Sequence, residues 1–231
     1  MTLNLLHLSS YPIYEQLQLE EALLRNDTRN WCLINEGSTP AIIMGISGKP
    51  EELINQKKIE ETPLPVIKRF SGGGTVIVDE DTLFITFIFQ KEAHSFTPYP
   101  ERIMRWTEEL YRPLFDPHPF RLRENDYVIG EKKCGGNAQY LRKERWLHHT
   151  SFLWDFKRER MDYLLLPRKT PSYRAGRPHE EFLCSLSTFF PSKEAFIEDL
   201  KERLALHFSL KECSIPLVQN GARQTTQKWV N

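Results

Sequence analysis

The sequence predicts an α/β protein of the α+β type, with a mixed, mostly antiparallel sheet flanked by helices. Three observations predict it. Strand-length apolar runs follow one another across short polar turns at Asp79-Glu80-Asp81, Gly130-Glu131 and Lys143-Glu144, the connection that antiparallel neighbours use. Amphipathic helical patterns stand between groups of strands instead of alternating with each strand, unlike a doubly wound parallel sheet. The 231 residues are 40% hydrophobic and 27% charged, which supports one sizeable core and argues against a disordered chain.

The elements follow in order. Pro12 takes the first position of a helix running to about Arg25, with Leu17, Leu23 and Leu24 inward, because the fixed φ of proline suits a first turn. Residues 31–35 and 41–45 read as short strands, and Gly37, Ser38 and Pro40 supply the turn between them. Pro50 opens a short helix over residues 51–58. Residues 65–69 form a strand that ends in Ser71-Gly72-Gly73-Gly74. Residues 75–78 and 82–89 are rich in β-branched and aromatic side chains and read as a hairpin closed by residues 79–81. Pro100 precedes a helix with Ile103, Trp106, Leu110 and Leu114 on one face. Strands are expected at 126–129, 134–141 and 146–156, and an irregular loop at 168–179. Phe196, Leu200, Leu204 and Phe208 mark an amphipathic helix capped by Ser192. A short polar tail follows Lys211. One domain over residues 1–231 is expected.

Lys plus Arg and Asp plus Glu number 31 each, for a net charge of zero. A basic nucleic-acid footprint is absent, and no nucleic-acid partner is expected. Cys32, Cys134, Cys184 and Cys213 lack CxxC spacing, which argues against a zinc site or a disulfide framework and for reduced thiols in a cytoplasmic protein. Residues 1–8 lack a basic segment before a long apolar run, and the longest apolar runs are strand length. Neither a secretory signal nor a membrane partner is expected.

Two clusters carry chemistry. In Lys68-Arg69-Phe70-Ser71-Gly72-Gly73-Gly74-Thr75, the glycines let backbone approach a ligand closely, and their N–H groups can cradle an anion. Arg69 adds a planar donor fork for phosphate or carboxylate. The alternative is a plain flexible loop, and neither the P-loop spacing nor GxGxxG is present. The second cluster runs from Asn125 to Gln139. Lys133 stands at the start of a strand beside Gly135 and Gly136, as a compact charge for phosphate or carboxylate. Asn125 and Asp126 offer a hydrogen bond and a carboxylate for magnesium. The alternative is a hairpin with solvated lysines. His148 and His149 lie on the next strand, where neighbouring residues face opposite sides, so one of them at most faces a pocket. No third ligand is spaced for zinc.

The stretches KRFSGGGTVIVDE, RENDYVIGEKKCGGNAQYL and WLHHTSFL, in this order, resemble the biotin/lipoate A/B protein ligase family, most closely its lipoate–protein ligase branch. The resemblance covers residues 31–186. It implies a catalytic domain like those of class II aminoacyl-tRNA synthetases and biotin ligases. It implies activation of lipoate with ATP and Mg2+, then transfer to a lysine of acceptor lipoyl domains, in 2-oxoacid dehydrogenase E2 subunits and the glycine cleavage H protein. Lys133 matches the family's essential lysine. Arg69, Ser71, Gly72, Gly73, Gly74, Thr75, Val76, Ile77, Asn125, Asp126 and Lys133 would bind ATP and lipoyl-AMP. Lys133, Gly135, Gly136, Ala138 and His149 would bind lipoate, and Asp126 would hold Mg2+. Val76, Ile85 and Phe87 either line an acyl slot or belong to the core.

The match has departures. Val78 stands where the family often has His, and Asp79-Glu80-Asp81-Thr82 replaces an Asp-x-Gly-Asn turn. A C-terminal accessory domain found in many members is not expected here, so a monomeric single domain suffices or a separate accessory subunit completes it. An octanoyltransferase is the first rival, and it needs a cysteine to carry the acyl group as a thioester. Residues 113–124 contain none. Cys184, in Phe182-Leu183-Cys184-Ser185-Leu186, lacks the Pro-Cys-Gly context, and both it and Cys134 read as structural. A non-catalytic lipoate-binding subunit is the second rival. A biotin ligase is disfavoured by the missing Gly-Arg-Gly-Arg loop.

Overall fold

The computed structural model describes residues 1–167, 170–215 and 225–229. In chain order the elements are β1 (Thr2–Ser9), α1 (Ile13–Asn26), β2 (Trp31–Glu36), β3 (Ala41–Met44), α2 (Pro50–Leu53), α3 (Gln56–Glu61), β4 (Val66–Lys68), β5 (Val76–Val78) and β6 (Thr82–Gln90). There follow α4 (Pro100–Tyr111), β7 (Phe120–Arg123), β8 (Asp126–Ile129), β9 (Lys132–Leu141), β10 (Arg145–Leu153), α5 (Arg158–Met161), α6 (His179–Phe182), α7 (Lys193–Ala205), β11 (Ser209–Glu212) and β12 (Gln227–Trp229). Among the described residues the strands form two sheets, one of eight strands in the order β11-β1-β2-β6-β10-β9-β8-β7 and one of four in the order β12-β4-β3-β5. The large sheet is antiparallel except where β1 runs parallel to β11 and β2. This is the mixed, mostly antiparallel sheet flanked by helices that the turns predicted.

The expected hairpin of residues 75–78 and 82–89 does not form. β5 pairs with β3 in the small sheet, whereas β6 lies between β2 and β10 in the large one. The tight turn is present, with Thr82 N–H donating to the Asp79 carbonyl at 3.2 Å, but it carries the chain from one sheet to the other. The strand compositions explain this. All of β6 but its last residue is buried, so it needs neighbours on both edges and cover on both faces.

Other departures have similar causes. β1 was not expected because its leucines fall on both faces and show no alternation. Residues 3–6 are all buried, as suits a strand between two parallel neighbours and under helices. The expected helix at 51–58 splits at Ile54 and Asn55. Ile54 is buried and bridges to Leu164, and the Asn55 side chain restarts the helix by accepting the Lys58 N–H at 3.3 Å. The strand expected at 146–156 ends at Leu153. Within the loop expected at 168–179, residues 168 and 169 lie outside the described residues; Ser172–Arg174 form one 3-10 turn. In the expected tail, 216–224 also lie outside them. Thr225 and Thr226 donate to the buried Glu21 carboxylate, and β12 pairs with β4.

Helix α1 joins the two sheets. Its Ile13 and Leu17 pack with Ile43, Ile67 and Val78 of the small sheet and Phe84 of the large one, while Leu19, Leu23 and Leu24 pack on Trp31, Leu33 and Ile88. On the opposite face of the large sheet, α4 and α7 close over an aromatic core of Phe87, Phe89, Tyr111, Phe115, Trp146 and Phe152. Each such fully buried ring is worth about 1.5–3 kcal/mol. Ser192 caps α7 as its position predicts, accepting the Ala195 N–H at 3.1 Å. Among the described residues no helix is long and apolar enough to cross a membrane.

His148 belongs to this core. It is fully buried, its Nδ1 lies 2.9 Å from Gln139 Nε2 and its Nε2 lies 3.1 Å from the Thr150 hydroxyl. Burial, helped by the charge of His149, pushes it from the usual 6.5 down to about 3. The unfolded chain therefore takes up a proton that the folded chain refuses. Stability from this site is complete above about 6.5 and is lost as the pH falls toward about 3. Unfolding free energies measured by denaturant titration should decline across this window, and His148→Gln should make the decline shallower. An unchanged slope in the variant would remove His148 from the acid response.

Candidate active site

The site begins where β4 ends. Arg69 is 5% exposed, and its guanidinium runs beneath the glycine loop. Nη2 donates to the carbonyls of Gly72 (3.1 Å) and Gly74 (2.9 Å), and Nη1 to that of Ile43 (3.5 Å). Burial pushes its ionisation down to about 10. The fork expected to meet an anion is thus occupied by three backbone carbonyls and acts as a clamp that shapes the loop.

Gly73 needs its glycine. Its φ is +118°, and a Cβ there would stand 2.6 Å from Arg69 Nη2 and 3.0 Å from the Asn137 carbonyl oxygen. Gly45, at the end of β3, is a further requirement that its sequence context did not reveal, since a Cβ there would lie 2.2 Å from the Gly73 carbonyl oxygen. The loop is therefore packed between β3 and β9. Gly72 N–H donates across the gap to the Gln139 carbonyl at 3.2 Å, which ties the loop to the strand that carries Lys133.

A β-bulge aims the residues of β9. Gly135 pairs with Tyr127 and Lys133 with Val128, which leaves Cys134 as the extra residue. A bulge resets the alternation of faces. Lys133 and Gly136 thereby share the cleft side, whereas Cys134 is buried in the core and a Cβ on Gly135 would stand 2.8 Å from the Phe152 ring. Gly135 makes room for Phe152 and not for an acyl chain, a correction to its expected role. Gly136 keeps the expected side, where a Cβ would come 3.3 Å from Lys133 Nζ.

Lys133 Nζ lies 2.8 Å from Asp126 Oδ1, and Asp126 Oδ2 accepts from the Tyr173 hydroxyl at 2.8 Å. Both oxygens of Asp126 are thus engaged, and among the described residues no group of three acidic, His or Cys side chains gathers for a metal. With Lys133 and Tyr173 on its two oxygens, Asp126 does not fit a protein-held Mg2+.

On β10, His149 faces the cleft and His148 the core. His149 Nδ1 lies 3.0 Å from both Glu20 Oε1 and Thr86 Oγ1. Glu20 is fully buried and accepts further bonds from Thr86 and Gln16 at 2.7 Å each. The sequence signal for Glu20 was a polar pair, Gln16 and Glu20, one turn apart on the inward stripe of α1.

These segments meet on one cleft of about 800 Å3. Of the residues expected to bind ligand, it gathers Arg69, Gly72, Gly73, Gly74, Thr75, Val76, Ile77, Asn125, Asp126, Lys133, Gly136, Ala138 and His149. Ser71, 1% exposed, does not line it. Of the possible acyl-slot residues, Val76 lines the cleft, while Ile85 and Phe87 are core. Cys134 and Cys184 stay outside it. Burial pushes the Cys134 thiol well up and the Cys184 thiol to about 11, the opposite of an activated nucleophile.

The glycine loop and Lys133 thus face one another across a single cleft that also holds His149, paired with Glu20, at one wall. The chain belongs to the lipoyl protein ligase A/B catalytic domain family, whose model matches residues 12–209. It is 29% identical over 80% of its length to a Plasmodium falciparum protein named inactive lipoate–protein ligase 2, and 30% identical over 60% to the lipoate–protein ligase LplJ of Bacillus subtilis. It spans 63% and 42% of the lengths of those two relatives. Its fold is that of a bipartite lipoate–protein ligase of Thermoplasma acidophilum (TM-score 0.76, 19% identity, 94% of this chain and 88% of that one). It is likewise that of a lipoate–protein ligase A bound with ATP (TM-score 0.76, 21% identity, 94% and 90%).

The bulge gives a paired test. Gly135→Ala should destabilise the fold by about 1–3 kcal/mol through overpacking against Phe152. Gly136→Ala should leave stability within about 0.5 kcal/mol and disturb ligand binding by displacing Lys133. Thermal unfolding and ligand titration of both variants read this directly; the reverse pattern would contradict the assigned faces.

Proposed function

We propose that the chain is an ATP-dependent lipoate–protein ligase, which converts lipoate to lipoyl-AMP and passes the lipoyl group to a lysine of an acceptor lipoyl domain. The observation that carries this reading is the facing of Lys133 and the glycine loop across the same cleft, held together by the Gly72–Gln139 hydrogen bond. In the first step a lipoate carboxylate oxygen attacks the α-phosphorus of ATP, and the bond to pyrophosphate breaks. Negative charge grows on the phosphoryl oxygens, where a fixed ammonium and loop amides lower the barrier. In the second step the acceptor amine attacks the acyl carbonyl, AMP leaves with the bonding pair, and the amine loses a proton. Charge now grows on the carbonyl oxygen, within the field of the same Lys133. Val76 and Ala138 offer apolar wall to the acyl chain, and the Glu20–His149 pair a polar contact.

Similar proteins support the choice of substrates: one solved structure of this fold holds ATP and another, from Thermoplasma acidophilum, holds lipoic acid. The bipartite neighbour belongs to an archaeal lipoylation system with an E2 lipoyl domain, which supports E2-type lipoyl domains as acceptors and an accessory subunit as a partner in the reaction. The octanoyltransferase alternative is disfavoured by its two candidate thiols: Cys134 is buried, Cys184 is pushed up to about 11, and both lie outside the cleft. A non-catalytic lipoate-binding role draws its support from the relative named inactive.

Lipoate-dependent exchange of pyrophosphate into ATP separates these readings. The wild-type chain, alone or with its accessory subunit, should catalyse it. Lys133→Ala should lower the rate about 10²–10³-fold, the usual cost of one preorganised donor, and Cys184→Ser should leave it unchanged. Exchange that survives in Lys133→Ala would contradict the mechanism. Lipoate binding without exchange by the wild type would favour the binding role.

A further inference from the structure

We propose that Arg174 is the phosphate-binding arginine of the cleft, taking an oxygen of the phosphate chain of the nucleotide. The inference rests on the nucleotide reading above and assigns it a residue outside the motifs that suggested it. Arg69, the arginine expected in this role, turns both terminal nitrogens onto the carbonyls of Ile43, Gly72 and Gly74, which leaves only its Nε without a partner among the described residues. Arg174 lines the same cleft as Lys133 and the glycine loop, and is 5% exposed. Its Nη2 is buried and has no hydrogen-bond partner among the described residues. A buried donor of a charged group is costly to leave unmade unless a ligand completes it.

The side chain is held ready. Its Nε donates to the Arg177 carbonyl at 2.9 Å, and its guanidinium carbon lies 4.8 Å from the centre of the Phe182 ring. Arg177 braces the turn from behind, donating to the carbonyls of Arg174 (3.1 Å), Tyr173 (2.8 Å) and Glu131 (3.0 Å). Such fixing removes the rotamer entropy that an exposed arginine loses on binding. The adjacent carboxylate, Asp126, is taken by Lys133 and Tyr173, and no ion pair to Arg174 forms among the described residues. Burial pushes the ionisation of Arg174 below the usual arginine range, as befits a cation short of a counter-ion.

A phosphate and the lipoate carboxylate share the chemistry that a guanidinium recognises. The observations favour phosphate. Lys49, Arg69, Lys133 and Arg174 against Glu52, Glu124 and Asp126 leave the cleft lining with surplus positive charge, which suits the multiply charged phosphate chain, and a planar fork is the usual partner of phosphate oxygens.

The test is calorimetric titration of the full chain with ATP, with inorganic pyrophosphate and with lipoate, each alone. Arg174→Gln should weaken ATP and pyrophosphate about 10–100-fold, the loss expected for a charge-assisted bond, and leave lipoate unchanged. Arg174→Lys, which keeps the charge and the stem over Phe182, should restore part of the loss. It also carries the test should the Gln variant not fold. Equal ATP and pyrophosphate affinity in the variants would overturn the proposal alone. A loss confined to lipoate would overturn it in favour of the carboxylate. A wild-type chain that binds no ATP would instead overturn the ligase reading on which it rests.

Discussion

The site exists because the glycine loop and strand β9 touch. The contact is made of backbone: Gly72 N–H on the Gln139 carbonyl, and the bare Cα of Gly73 against the Asn137 carbonyl and the Gly45 strand end. None of these approaches tolerates a Cβ on Gly73 or Gly45, so the glycines act through what they lack. Arg69 holds the loop from beneath through three carbonyls, which is why so polar a side chain is buried without a carboxylate partner. The two sheets meet at this point, since the loop leaves β4 of the small sheet and β9 belongs to the large one, with α1 packed across both.

Charge inside the cleft is arranged in pairs with deliberate remainders. Lys133 is neutralised by Asp126 and Asp126 is fixed by Tyr173, so the ammonium is positioned before any substrate arrives. Glu20 and His149 form a second pair, with His149 at the cleft wall and Glu20, Thr86 and Gln16 buried behind it. Such networks are costly when half satisfied and rigid when complete. The remainder is Arg174, whose unsatisfied Nη2 has no structural task. The thiols show the opposite logic. Cys134 is turned into the core by the bulge that turns Lys133 out, and Cys184 is high in pKa and outside the cleft.

Much of this was legible in the sequence. The antiparallel character followed from short polar turns, and the glycine run and Lys133 were recognisable because the two clusters stand in the order and context of a family motif, although either alone also reads as a plain loop or a solvated hairpin. Strand alternation correctly separated His148 from His149. The failures have definite causes. The 79–81 turn looked like a hairpin because local composition does not say which sheet a strand joins. β1 was missed because a strand buried on both faces shows no period. Gly135 was assigned to the cleft because a bulge, which reverses facing, leaves no mark in composition. The carbonyls of Ile43, Gly72 and Gly74 that Arg69 reaches were not legible either, since the sequence shows a donor but not which acceptors come within its reach.

A crystal structure of the chain with a non-hydrolysable lipoyl-adenylate analogue tests the central claim most directly. The account predicts the phosphate mimic within hydrogen-bond distance of Lys133 Nζ and beside the backbone of residues 73–75, with the acyl chain running toward His149. An analogue seated away from either segment would contradict it.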